Sequence, residues 1–107
     1  MLYRFRSRAT ADLVMLEPQG RRLLTVLGKD PDKPGVLLVA DMPAAIQALQ
    51  ADAEADTRVW ADRVAEAVAR GEAPPPLPPV MWRTRVVPFV DTLGHCLREN
   101  TDLVWGV

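Results

Sequence analysis

The chain is poor in the residues that most often form metal sites, disulfides and covalent catalytic pairs. Its only histidine and its only cysteine are adjacent, His95 and Cys96. One cysteine cannot form an internal disulfide and falls far short of a structural zinc set, which is typical of a reducing cytoplasm. Neighbouring side chains on a helix point about 100° apart, so a reactive His95–Cys96 pair is not favoured. We expect a buried and unreactive thiol instead.

The chain also lacks a strong net charge and a long apolar run. Its formal net charge is −1, so no overall charge draws it to nucleic acid or to a membrane surface. Its apolar runs are far shorter than the roughly 20 residues of a spanning helix. The N-terminal stretch "MLYRFRSRAT" alternates arginine with apolar residues and contains no signal-peptide core. These absences predict a cytoplasmic protein without a membrane segment.

No motif for a metal, a nucleotide or a catalytic nucleophile is complete. The acids of "DAEAD" (52–56) match the start of a calcium loop, but Thr57 replaces the required glycine and Arg63 the closing glutamate. We expect these acids to form a solvated face. The segment "LGKDPDKPG" has neither the leading glycine nor the Ser/Thr of a phosphate loop. The sequence therefore predicts no metal site, no cofactor and no catalytic residue, and enzymatic activity is not favoured.

What is present fits one compact domain, residues 1–107, because 49% of the residues are apolar. "LYRFRS" alternates apolar and basic residues, which predicts a strand with one buried face. The alanine-rich stretch after Pro43 has apolar residues at helical spacing. The fold class is therefore α+β, a small and mostly antiparallel sheet covered on one side by about three helices. Strands are predicted near 2–7, 12–16, 36–39 and 102–106, and helices over 18–27, 43–70 and 80–99.

Three further expectations concern single segments. "VLLV" (36–39) is apolar throughout, which predicts a strand buried on both sides. Pro88 lies within the third helix and predicts a kink or two short helices. The proline-rich stretch 72–79 is expected to be an extended connector, although its PxxP spacing leaves a peptide-ligand role open. The apolar C-terminal strand is expected to pair with "LYRFRS" or "VLLV".

Charge is distributed unevenly along the chain. Residues 1–29 contain six basic and two acidic residues, whereas residues 30–72 contain four basic and nine acidic ones. One interpretation is that the two segments fold against each other or are simply solvated. The other is that the basic segment forms a face that binds an anion or a partner.

Arg4, Arg6 and Arg8 are the candidate binding residues. If the first strand extends far enough, all three project from one face and form a row suited to phosphate or carboxylate. Nucleic acid is not favoured as the partner, because Tyr3 and Phe5 point to the opposite face and cannot offer bases a stacking platform. The alternative is a solvated outer face with salt bridges.

Several segments together resemble a known family. They are "MLYRFRSRATADLVML", "GRRLLTVLGKDP", "MPAAIQAL", "RTRVVPFVDTL" and the terminal "LVWGV". They resemble a family of small proteobacterial proteins described only as a domain of unknown function, the one numbered 1840. The resemblance covers nearly the whole chain and implies a bacterial cytoplasmic protein of this size that stands alone. It implies no activity, cofactor or site residue.

The sequence is most consistent with a small bacterial, non-catalytic interaction or regulatory module, with an unknown protein partner and with self-association left open. The alternative is a small enzyme or ligand-binding protein in which the fold assembles groups such as Arg4, Arg6, Asp12 and Glu17. A concave apolar pocket that contains these groups would favour the alternative, and a flat basic face would favour the module.

Overall fold

The computed structural model describes residues 2–76 and 80–106, which form a four-stranded sheet and three helices. A single turn of 3-10 helix, Val39–Asp41, precedes the second helix. Every predicted element is present with its ends within two residues of the expected positions, so the α+β class is confirmed. In chain order the elements are β1 (Leu2–Arg6), β2 (Leu13–Leu16), α1 (Glu17–Val26), β3 (Gly35–Leu37), α2 (Met42–Ala69), α3 (Trp82–Arg98) and β4 (Leu103–Trp105).

The sheet is antiparallel with the strand order β2-β1-β4-β3. The C-terminal strand therefore lies in the middle, where Trp105 pairs with Phe5 on one side and with Gly35 on the other. Both expected neighbours of this strand are confirmed. Gly106 lies close to the loop before β3, since an added Cβ would be 2.7 Å from Cα of Pro34, and its φ is +72°.

The core lies between one face of the sheet and the three helices. Alternate residues of every strand point into it, as the period of two requires. Phe5 packs edge-on against Phe89 of α3 with ring centroids 5.0 Å apart. This arrangement confirms that helices cover one side of the sheet. The buried strand residues are Tyr3, Phe5, Met15, Leu37, Leu103 and Trp105.

The expected burial of β3 on both sides is wrong. Leu37 is 2% exposed, but Val36 is 39% exposed and Leu38 just after the strand is 48% exposed. An apolar run indicates double burial only where layers cover both faces of the sheet. Here β3 is an edge strand, and no helix of the described residues covers the outer face.

The helices begin and end where local chemistry predicts. Prolines occupy the first turns of α1 and α2, where a missing N–H breaks no helical bond. α1 is followed by Gly28 with φ +74°, and α3 by Asn100 with φ +52°. α3 is one helix despite Pro88, so the alternative of two short helices is wrong. Pro88 is exposed, which leaves its missing hydrogen bond at the surface.

Residues 72–76 of the proline-rich stretch form neither helix nor strand. The rest of the predicted connector, residues 77–79, lies outside the described residues, as do Met1 and Val107. Of the helices in residues 2–76 and 80–106, none combines the length and the apolar character needed to cross a membrane.

Candidate functional site

Arg4 and Arg6 project from the uncovered face of β1. Their side chains are 58% and 48% exposed, and both approach Asp12, whose Oδ2 lies 4.0 Å from Nε of Arg4 and 3.3 Å from Nε of Arg6. β1 ends at Arg6, so Arg8 does not continue the row along the strand. Arg8 is exposed and forms no hydrogen bond or ion pair within the part of the chain that the structure describes.

Exposed apolar side chains flank these arginines. At one corner of the face lie Leu2 and Leu16, each 58% exposed, and Val14, 46% exposed. Leu2 pairs with Leu16 and Arg4 pairs with Val14, so this corner adjoins the first arginine. Solvent-exposed leucines and valines on adjacent strands form a contiguous patch rather than scattered single residues.

A second apolar corner lies at the other end of the face. Arg6 pairs with Val104, and Val104 pairs with Val36 of the edge strand. Leu38 extends this corner beyond β3. The arginines therefore form a diagonal between two apolar corners. We call the whole surface the outer sheet face, defined by Leu2, Arg4, Arg6, Asp12, Val14, Leu16, Val36, Leu38 and Val104.

The apolar part of this surface was not predicted from the sequence. The signal is present in β2, where "LVML" is apolar at four successive positions. A strand with one covered face needs apolar residues at only every second position. The two apolar residues of β2 that the core does not require, Val14 and Leu16, are exposed.

An open cavity of about 600 Å³ lies beside the end of β1. Two arginines and two aspartates line it, so its charges balance. A small ligand with an anionic group could contact Arg8, whose guanidinium is not paired with any described residue. The lining residues are Arg6, Ser7, Arg8, Asp12, Asn100, Thr101, Asp102 and Val104.

Arg21 is already paired and offers no free charge. It donates hydrogen bonds of 2.6 and 3.3 Å to the two carboxylate oxygens of Asp32. The hydrogen bonds with Asp32 raise the pKa of Arg21, and the same hydrogen bonds lower the pKa of Asp32. Tyr3 tethers this loop by donating a hydrogen bond of 3.0 Å to the carbonyl of Pro31.

Arg22 joins the three helices. Its Nη2 donates to Asp52 Oδ2 at 3.2 Å and to Asp56 Oδ1 at 3.1 Å, and its guanidinium carbon lies 4.3 Å from the ring centroid of Trp82. Trp82 Nε1 donates to Asp52 at 2.7 Å. The expected solvated acidic face is therefore wrong for Asp52 and Asp56, although Glu54 is exposed. These contacts confirm that the basic and acidic segments fold against each other at this point.

His95 and Cys96 lie in different environments. Cys96 is fully buried and its Sγ donates a hydrogen bond of 3.3 Å to Oγ of Ser7. His95 is exposed, and its Nδ1 is 2.8 Å from Nη2 of Arg98, which donates to it. The predicted burial of the thiol is confirmed. Within residues 2–76 and 80–106, no three His, Cys, Asp or Glu side chains are grouped as metal ligands.

The chain belongs to the family described as "Domain of unknown function (DUF1840)", whose model matches residues 1–105. This confirms the family that the sequence resembles. Neither the curated proteins nor the solved structures contain a match to the chain.

Proposed function

We propose that this protein is a non-catalytic interaction module that binds a protein partner through the outer sheet face. The observation that carries the proposal is the combination of two exposed apolar corners with the Arg4–Arg6 diagonal on a face that no described element covers. Large contiguous apolar patches on a folded surface are typical of interaction sites. Arginine is the charged residue most enriched at protein interfaces.

The charges of this face define the chemistry of the partner. Two arginines oppose one carboxylate, Asp12, so the face has a positive centre. A complementary surface presents carboxylates at its centre and apolar side chains around them, because a guanidinium can bind a carboxylate through two hydrogen bonds. If two copies of this face paired symmetrically, the arginines of one copy would lie against those of the other and repel them. We therefore propose that the partner is a different protein. Nucleic acid is disfavoured since Tyr3 and Phe5 are buried on the opposite face.

The proposal extends to location and organisation. We place the protein in the bacterial cytoplasm, as its cysteine usage and its family resemblance indicate. We treat the chain as one domain, because all strands and helices contribute to a single apolar core. Residues 72–79 act as a connector between α2 and α3 in this scheme.

The test compares two double variants with the same change of charge. Arg4→Glu with Arg6→Glu alters the outer sheet face, and Arg58→Glu with Arg63→Glu alters exposed positions on α2. Partners are captured from a lysate of the native host with each immobilised protein, then purified and titrated against it. We expect the first variant alone to lose binding of a purified partner, with both melting temperatures close to that of the unchanged protein.

Two outcomes would contradict the proposal. If the Arg4/Arg6 variant loses stability in proportion to binding, the arginines serve the fold and not a partner. If both variants bind the partner equally, the interaction depends on another surface. Binding through the proposed face should also weaken as salt concentration rises, because exposed charges are screened.

A second function, the binding of a small anionic ligand, is favoured by one observation. Arg8 has no hydrogen-bond or ion-pair partner in residues 2–76 and 80–106, and it borders the open cavity of about 600 Å³. Thermal shift measurements with inorganic phosphate and with succinate test it. A rise in melting temperature that Arg8→Ala abolishes would support ligand binding, and the absence of any rise would exclude these anions.

A further inference from the structure

A groove runs between the edge strand β2 and the start of α3. Its volume is about 310 Å³, and one wall consists of the whole of β2. Thr84, Arg85 and Pro88 of α3 form the opposite wall, and Gln19 of α1 lies between them. The groove is therefore as long as a strand and has a helix on its far side.

The backbone of β2 is unpaired along this groove. β2 is the first strand in the order β2-β1-β4-β3, and among the described strands it pairs only with β1. In an antiparallel pair every second residue directs its N–H and C=O away from the partner strand. No backbone hydrogen bond from Leu13–Leu16 to another described element occupies these groups. A free edge of this kind accepts an added strand.

The opposite wall has polar groups without partners. Arg85 is half-buried, and its guanidinium has no hydrogen bond or ion pair among the described residues. Oε1 of Gln19 is shielded from solvent and has no hydrogen-bond partner within the described part of the chain. The carbonyl of Thr84 has no helical donor four residues later, since that residue is Pro88. The residues that line the groove thus include a cationic group and a shielded acceptor that have no partner among the described residues.

We infer that this groove binds an extended peptide segment that carries a carboxylate, and that the segment joins the sheet as a fifth strand beside β2. Its backbone would satisfy the free edge, and its carboxylate would pair with Arg85. Alternate side chains of the segment would enter the groove, and its backbone would extend the sheet. This groove shares Val14 and Leu16 with the outer sheet face, but Arg4 and Arg6 do not line it. The inference therefore goes beyond the proposed function and does not rest on it.

A second copy of this chain fits the groove less well. Pairing of two β2 strands would place "LVML" in each groove. The acids that flank this segment, Asp12 and Glu17, already contact arginines of their own chain. Arg85 of each copy would therefore have no uncommitted carboxylate of the other copy's β2 beside it. The charge of the groove therefore favours a different, acidic segment.

The test begins with a library of short random peptides displayed on phage and selected against the full-length protein. We expect enriched sequences to alternate in polarity and to include an acidic residue. The best peptide is synthesised, and its affinity is measured by fluorescence polarisation. Two further versions of the peptide are made: one is N-methylated at the odd-numbered residues and the other at the even-numbered residues. In each version, the methylated N–H groups all point to the same side of the added strand. Only the register whose N–H groups face β2 should abolish binding, because N-methylation removes those donors.

Protein variants test the carboxylate. Arg85→Glu should weaken binding of the synthetic peptide about tenfold or more, because a charge-assisted hydrogen bond is lost and like charges are opposed. Arg83→Glu is the matched control, since Arg83 is exposed on the same helix and does not line the groove. Backbone amide NMR signals of Leu13–Leu16 should shift on binding in the unchanged protein.

The inference is overturned if no peptide is enriched, if binding survives N-methylation in both registers, or if Arg85→Glu and Arg83→Glu have equal effects. Shifts confined to Arg4, Arg6, Val36 and Val104 would also overturn it, while supporting the outer sheet face. If the protein sediments as a dimer and its β2 amides are protected from hydrogen exchange, the edge of β2 binds a second copy of this chain instead, and the inference is wrong. Failure of the Arg4/Arg6 test leaves this one unaffected, so the two proposals fail separately.

Discussion

Leu103→Ala and Trp105→Ala would remove the two side chains that hold β4 in the centre of the sheet. Leu103 is 0% exposed and Trp105 is 2% exposed, and the indole of Trp105 lies 5.9 Å from the ring of Phe5 between centroids. β4 separates β1 from β3, so its loss would leave β3 without a partner. The strand is only three residues long and depends on these two anchors.

The expected loss of stability is large. Truncating a buried leucine to alanine costs about 2–5 kcal/mol, and truncating a buried tryptophan costs about 3–5 kcal/mol. Their combined loss, about 5–10 kcal/mol, approaches the whole stability of a typical domain, about 5–15 kcal/mol. Each single variant should therefore fold with a reduced melting temperature. Deletion of 103–107 should leave the protein largely unfolded or aggregated.

Urea unfolding followed by far-UV circular dichroism measures these effects. Val104→Thr is the matched control, because Val104 is half-buried on the outer face and should change the unfolding free energy by about 0.5 kcal/mol or less. A truncated protein that melts cooperatively within a few degrees of the full-length chain would refute the reasoning. So would a Trp105→Ala variant as stable as the Val104→Thr control.

Three other substitutions test individual contacts. Cys96→Ser should preserve the fold, and the native thiol should react slowly with a thiol reagent; rapid alkylation would contradict its burial. Gly106→Ala should destabilise the protein more than Gly71→Ala does, since both have φ near +70° but only Gly106 also has a close backbone neighbour; equal melting temperatures would contradict this. Asp52→Ala should lower the unfolding free energy by about 1–3 kcal/mol because two donors lose their acceptor, whereas Glu54→Ala should have little effect; the comparison is made by urea unfolding.

Local patterns predicted the elements well. The alternation of "LYRFRS", the prolines at helix starts and Asn100 after α3 each act within a few residues, so they are readable from the sequence. Sheet order and side-chain partners depend on distant residues. Arg22 meets Asp52 and Asp56 across 30 and 34 positions, and no spacing rule reveals that contact.

The candidate site was only partly predictable. The outward direction of Arg4 and Arg6 follows from the strand period, but their neighbours on the sheet do not. The error at β3 has the same origin, because "VLLV" indicates apolar surroundings without showing how many layers cover it. The groove beside β2 could not be predicted from the sequence, because Arg85 is distant from β2 along the chain.

The central claim is that the outer sheet face binds a different protein, and site-specific photo-crosslinking in living cells of the native host tests it most directly. A photoreactive residue is placed at Val36 on that face, or at Val59, which is 51% exposed on α2. We predict a crosslinked product with another protein from position 36, and none from position 59. Products of equal yield from both positions, or a product at position 36 that contains only a second copy of this chain, would contradict the claim.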